Sequence, residues 1–161
     1  MDFEVQRCTR HCTSTGRELA PDEVFYSVLV DEGGQVVRHD YCAEAWQGPP
    51  ATSMGWWKSR MPGRTGRRVN WAPSEVMLEY FEELANNPQR ADVRYLLALL
   101  MIRRRIVRME ETKEDEQQRE VLSLYCARRE KNYDVLVVVP EESRAREIQE
   151  ELAALLVAEG S

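Results

Sequence analysis

Cys8, His11, Cys12, His39 and Cys42 are the residues of this 161-residue chain best suited to chemistry. Thiolate and imidazole are the borderline-soft donors that zinc takes at four tetrahedral corners, and they usually arrive as two short-range pairs. Cys8-Thr9-Arg10-His11-Cys12 offers one pair, and His39-Asp40-Tyr41-Cys42 offers a second with two residues between its ligands. The expected ligand set is Cys8, Cys12, His39 and Cys42, with His11 as a substitute for Cys12, and the expected cofactor is one structural zinc ion. Ala45 stands where a regular Cys-x-x-Cys repeat would carry a ligand after Cys42, so the second pair depends on His39. The competing reading is a hairpin without metal in which the cysteines are small buried hydrophobes.

A second constellation lies downstream. Lys58, Arg60, Arg64, Arg67 and Arg68 fall between positions 58 and 71 without one acid among them, flanked by Trp56, Trp57 and Trp71. Cations beside flat indoles can pair with phosphates and stack on bases, as a single-stranded nucleic-acid surface requires. The plainer expectation is that this segment lies against the acidic stretch holding Glu75, Glu79, Glu82 and Glu83. Gly63-Arg64-Thr65-Gly66 lacks both the Lys-Ser/Thr ending and the preceding strand of a phosphate loop. Cys42, His39 and Asp40 could form a nucleophile, base and orienting group, but a ribbon turn explains them equally well. No cofactor fingerprint or paired-carboxylate motif accompanies them, so an enzyme is not expected.

The elements that must position these residues are legible in part. Val24 to Val30 and Val36 to Tyr41 are β-rich runs separated by Asp31-Glu32-Gly33-Gly34, which predicts a hairpin. Gly48-Pro49-Pro50 stops any short helix begun at Ala43, and glycine and proline punctuation predicts an irregular segment from Ala51 to Trp71. Pro73 opens a helix with Val76, Tyr80, Phe81 and Leu84 on one stripe. Asn86-Asn87-Pro88 ends it and starts another, with Asn87 as N-cap and Pro88 at the first helical position. Tyr95 to Ile102 is apolar on every side, so this second helix should be the central buried element around Leu96 and Leu100. Arg103-Arg104-Arg105 closes it. A three-stranded antiparallel meander follows, with strands at Ile106 to Glu110, Val121 to Ala127 and Tyr133 to Val139 and an acidic tip from Glu111 to Glu120. Pro140 opens a last helix that places Ile148, Leu152 and Leu155 on its core face. The expected fold class is α+β: an N-terminal ribbon-like β-hairpin, a helical pair, the meander and a C-terminal helix. The expected division is a ribbon-like hairpin over 1–48, a Trp/Arg-rich connecting segment over 49–72 and an α+β body over 73–161.

The first 45 or so residues resemble a zinc ribbon. Thr15-Gly16-Arg17-Glu18-Leu19, Phe25-Tyr26-Ser27, Asp40-Tyr41-Cys42 and Arg94-Tyr95-Leu96-Leu97-Ala98-Leu99 are together similar to an uncharacterised bacterial protein family. The ribbon resemblance implies a structural or interaction module, and the family resemblance implies no activity.

Composition sets the outer limits. Hydrophobic residues make up 43% and charged residues 31%, enough apolar material for a core. The net charge of -6 argues against a surface that grips nucleic acid throughout, while leaving room for a local basic patch. The start Met1-Asp2-Phe3-Glu4 does not read as a secretory signal, and the run from Tyr95 to Ile102 is too short to cross a bilayer. The expected protein is a small cytoplasmic interaction or adaptor protein with a protein partner. The alternative is a nucleic-acid-binding protein that uses the basic segment between Trp56 and Trp71.

Overall fold

The computed structural model of the chain describes residues 10–61 and 69–159. Within them the fold is mixed α+β, with three α-helices and two three-stranded antiparallel sheets. The chain forms two compact units, one from Met1–Glu79 with Gln149–Ser161 and the other from Tyr80–Ile148. No described helix is long and apolar enough to cross a membrane.

The first unit is built on β1 (Val24–Glu32), β2 (Gln35–Cys42) and β3 (Ser53–Arg60), in the order β2-β1-β3. The hairpin between β1 and β2 closes through Gly33 and Gly34, both at positive φ, with Glu32 opposite Gln35. That two-residue turn matches the right-handed twist of the strands and needs left-handed backbone at both positions. Strand β3 corrects the sequence reading, which placed an irregular segment there. Its Gly55 weakens the local β signal, yet a side chain at that point on the inner face would crowd a neighbour. A Cβ on Gly55 would stand 3.1 Å from Cγ2 of Val76. Val76 belongs to helix α1 (Ser74–Leu84), which begins as expected, with Val76 and Met77 donating their N–H groups to the carbonyl of Pro73. Between β3 and α1, strand β4 (Val69–Trp71) pairs antiparallel with the last strand of the chain, and neither strand was foreseen.

The second unit contains helix α2 (Ala91–Arg103) and the meander β5 (Arg108–Glu114), β6 (Glu120–Cys126) and β7 (Lys131–Leu136), in the order β5-β6-β7. Asn87 does not cap α2: Pro88–Arg90 forms a 3₁₀ turn first, and Asn87 makes no side-chain cap hydrogen bond. Proline disfavours helical backbone in the residue before it, which leaves Asn87 outside the helix by a full turn. The buried face of α2 is also displaced from the expected one. Val93, Leu97, Ala98 and Met101 are fully buried and Leu100 nearly so, whereas Leu96 is half-buried and Leu99 exposed. A helix that is apolar all round carries no phase of its own, so packing chooses the face. Strand β5 runs on through Glu114, shrinking the acidic tip to 115–119. Its side chains are exposed throughout, and charges along an edge strand discourage pairing with another chain.

Helix α3 (Glu142–Leu156) buries Ile148, Leu152 and Leu155 as its spacing predicts, and β8 (Val157–Glu159) follows it directly to meet β4.

Candidate functional site: two faces of the three-stranded sheet

Alternation along the strands sorts the first sheet into two chemically distinct faces. Register places Phe25 opposite Cys42 and Ser59, Ser27 opposite Asp40 and Trp57, and Leu29 opposite Arg38 and Gly55. These residues form the inner face. Tyr26 is opposite Tyr41 and Lys58, and Val28 is opposite His39 and Trp56; they form the outer face. Neighbours in sequence therefore separate: Trp57 is buried inside, while Trp56 is 47% exposed outside.

The inner face carries a buried ionic network. The carboxylate of Asp40 accepts hydrogen bonds from Ser27 Oγ at 2.5 Å, Arg38 Nε at 3.0 Å and Arg10 Nη1 at 3.3 Å. Arg38 also lies over the Trp57 ring, 5.1 Å from its centre. One carboxylate cannot balance two guanidinium groups. Further N–H groups reach the end of α3 and the start of β8: Arg10 Nη2 donates to the carbonyls of Ala154 and Val157, and Arg38 Nη1 to those of Leu155 and Val157. Arg38 Nη2 donates to Ser27 Oγ, and Arg10 Nε is buried without a partner among the described residues. Carbonyls at a helix C-terminus are unpaired and carry the negative end of the helix dipole, so they supply the rest of the compensation. Sequence reading missed this network, because Arg10 and Arg38 lie more than a hundred residues from the carbonyls they reach.

At one end of the same face, Cys12 and Cys42 meet in a buried cluster with Leu19, Phe25 and Met61. The turn that delivers Cys12 is held by Gly16, at positive φ, whose N–H bonds to the carbonyl of Cys12 at 2.7 Å. Thr13 fixes it to β2, donating its N–H to the carbonyl of Asp40 at 2.7 Å. Burial pushes the Cys12 thiol up. Hydrogen bonds from the Thr15 hydroxyl and from the backbone N–H groups of Cys42, Thr15 and Ser14 together outweigh burial and bring it down to about 7. Arg17, whose carbonyl accepts the Cys12 N–H at 2.8 Å, pairs through its guanidinium with Glu23.

The expected metal ligands are not all brought together. Cys12 and Cys42 converge. His39 is on the outer face, its Nε2 3.6 Å from Glu32 Oε2. His11 is exposed, in a bridge with Glu18. Cys8 lies outside the described residues. Among the described residues no three His, Cys, Asp or Glu side chains stand together as a metal site. Among the described residues, Cys12 and Cys42 are the two of the expected donors that come together.

The outer face carries an aromatic cluster. Trp46, in the turn after β2, stacks on Tyr26 with ring centres 5.1 Å apart and planes within 2° of parallel. Tyr41 and Trp56 flank Trp46 at 5.5 and 5.7 Å, and Trp56 also approaches Tyr26 at 6.2 Å. Lys58 is the cross-strand neighbour of Tyr26, and it makes no ion pair or hydrogen bond among the described residues. Arg60, opposite Val24, donates to the carbonyl of Asp22 at 3.0 Å. Of the basic residues singled out in the sequence, Lys58 and Arg60 thus share this face, and Arg64, Arg67 and Arg68 lie outside the described residues. Reading β3 as a strand would have revealed the face, since Trp56, Lys58 and Arg60 alternate with Gly55, Trp57 and Ser59.

The chain matches no family model, no curated protein and no solved structure.

Proposed function

We propose that this chain is a small interaction protein whose ribbon-like unit docks an extended segment of a protein partner on the outer face of its three-stranded sheet. The observation that carries the reading is the exposure of Trp56 at the edge of the Tyr26, Trp46 and Tyr41 cluster, with Lys58 beside it. Aromatic rings provide large contact area at low entropic cost and dominate binding energy at protein interfaces. Rings that pack against one another form a rigid apolar ridge suited to proline or aliphatic side chains, and Lys58 suits an acid in the same segment.

Nucleic-acid binding is the second reading, and the pairing of Lys58 with Tyr26 favours it. Stacking on bases needs open ring faces. Trp46 already covers one face of Tyr26, which makes a protein segment the better occupant.

Selection of displayed peptides on the full chain tests the choice. Acidic peptides rich in proline or aliphatic residues should be enriched, and Trp56→Ala should weaken them roughly 30-fold without altering the far-ultraviolet spectrum. Enrichment that does not depend on Trp56 would refute the docking face. Salt-dependent oligonucleotide binding that is lost on replacing Lys58 would favour the second reading instead.

A further inference from the structure

We propose that Cys12 and Cys42 are a dithiol that closes to a disulfide when it meets a small-molecule disulfide such as oxidised glutathione. The two side chains share one buried cluster, 1% and 2% exposed. The backbone N–H of Cys42 donates to the sulfur of Cys12, so that sulfur sits against the residue that carries its partner. Paired backbone and side-chain bonds between Thr13 and Asp40 hold the two segments in place, one residue from Cys12 and two from Cys42. Cys126, the remaining described cysteine, is on β6 in the other unit.

The chemistry balances with the oxidant named. The Cys12 sulfur attacks one sulfur of oxidised glutathione, whose S–S bond breaks and releases one glutathione, which takes the proton Cys12 gives up. The Cys42 sulfur then attacks the Cys12 sulfur of the mixed disulfide and releases the second glutathione, which takes the proton from Cys42. The chain loses two hydrogens, and two electrons pass to the glutathione pair. The product joins the turn that carries Cys12 to β2. Because both sulfurs are buried, attack waits on local opening of that turn and should be slower than at an exposed thiol.

The test uses the full chain, folded and reduced, incubated with oxidised glutathione. Its mass should fall by about 2 Da, the loss of two hydrogens. Trypsin should then yield residues 11–17 linked to residues 39–58. Cleavage after Arg10 separates Cys8 from Cys12, so the link is assigned without ambiguity. Cys42→Ser should stop at a glutathione adduct on residues 11–17, and the mapping on the unaltered chain stands even if that variant does not fold. A link through Cys8, unmodified thiols after prolonged exposure, or a chain that holds one zinc ion and reacts only after chelation would each overturn the proposal.

Discussion

Ser27 and Asp40 are direct cross-strand partners, and the Ser27 hydroxyl donates to the Asp40 carboxylate at 2.5 Å across the β1–β2 pair. Both are buried on the inner face of the sheet, where Asp40 is the counterion of Arg10 and Arg38. The hydroxyl satisfies part of a carboxylate largely shielded from water, and the two guanidiniums make its charge tolerable there.

Asp40→Asn keeps the shape of the side chain and removes the charge, leaving Arg10 and Arg38 buried without a counterion. The expected cost is about 3–5 kcal/mol, the range for breaking a buried pair by removing one partner. Urea unfolding at neutral pH measures it. A loss under about 1 kcal/mol would mean that the α3 carbonyls alone compensate both guanidiniums.

The Cys12 thiol, lowered to about 7, predicts a thiolate in the folded chain at pH 8. Its folded value lies below its ordinary one, so its contribution to stability is full above the ordinary value and is lost as pH falls through about 7. Thiolate absorbance at about 240 nm should rise with a midpoint near pH 7 in the folded chain. In Cys12→Ser that step should vanish. A first midpoint near 9 in the unaltered chain would contradict the hydrogen-bonded sulfur.

Glu82 plays the corresponding part in the second unit. It accepts a hydrogen bond from the Tyr133 hydroxyl at 3.0 Å and pairs with Arg129 and Lys131. Burial pushes its carboxyl up, but the Tyr133 hydroxyl and the two cations outweigh burial and hold it below the usual range. The same contact, after burial itself, pushes Tyr133 up to about 12. A depressed carboxylate stabilises the fold above its ordinary pKa and ceases to do so as pH falls through the folded value. Glu82→Gln should therefore cost about 1.5 kcal/mol at pH 7, as for a hydrogen bond to a charged group, with the difference shrinking below about pH 4. Denaturation of both chains at pH 7 and pH 3 checks the sign. An equal gap at the two pH values would count against it.

Local patterns in the sequence determined the elements that carry their own signal. Gly33-Gly34 set the first hairpin, Pro73 the start of α1, the β-rich runs of β6 and β7 the meander, and the spacing of Ile148, Leu152 and Leu155 the buried face of α3. Each depends on backbone preference or periodicity within about a dozen residues, which is the range over which such preferences act. Tertiary structure decided the rest. It made a strand of Ser53–Arg60 despite Gly55, whose missing side chain leaves room for Val76 of α1. It sent Trp56 and Trp57 to opposite faces and parted His39 from Cys42, although spacing along the chain suggested that these two act together. It also joined Arg10 and Arg38 to carbonyls between positions 154 and 157. The physical reason is common to all three. A strand assigns its side chains to faces only once its pairing register is set, and the partners of a buried charge are found by chain closure rather than by sequence proximity.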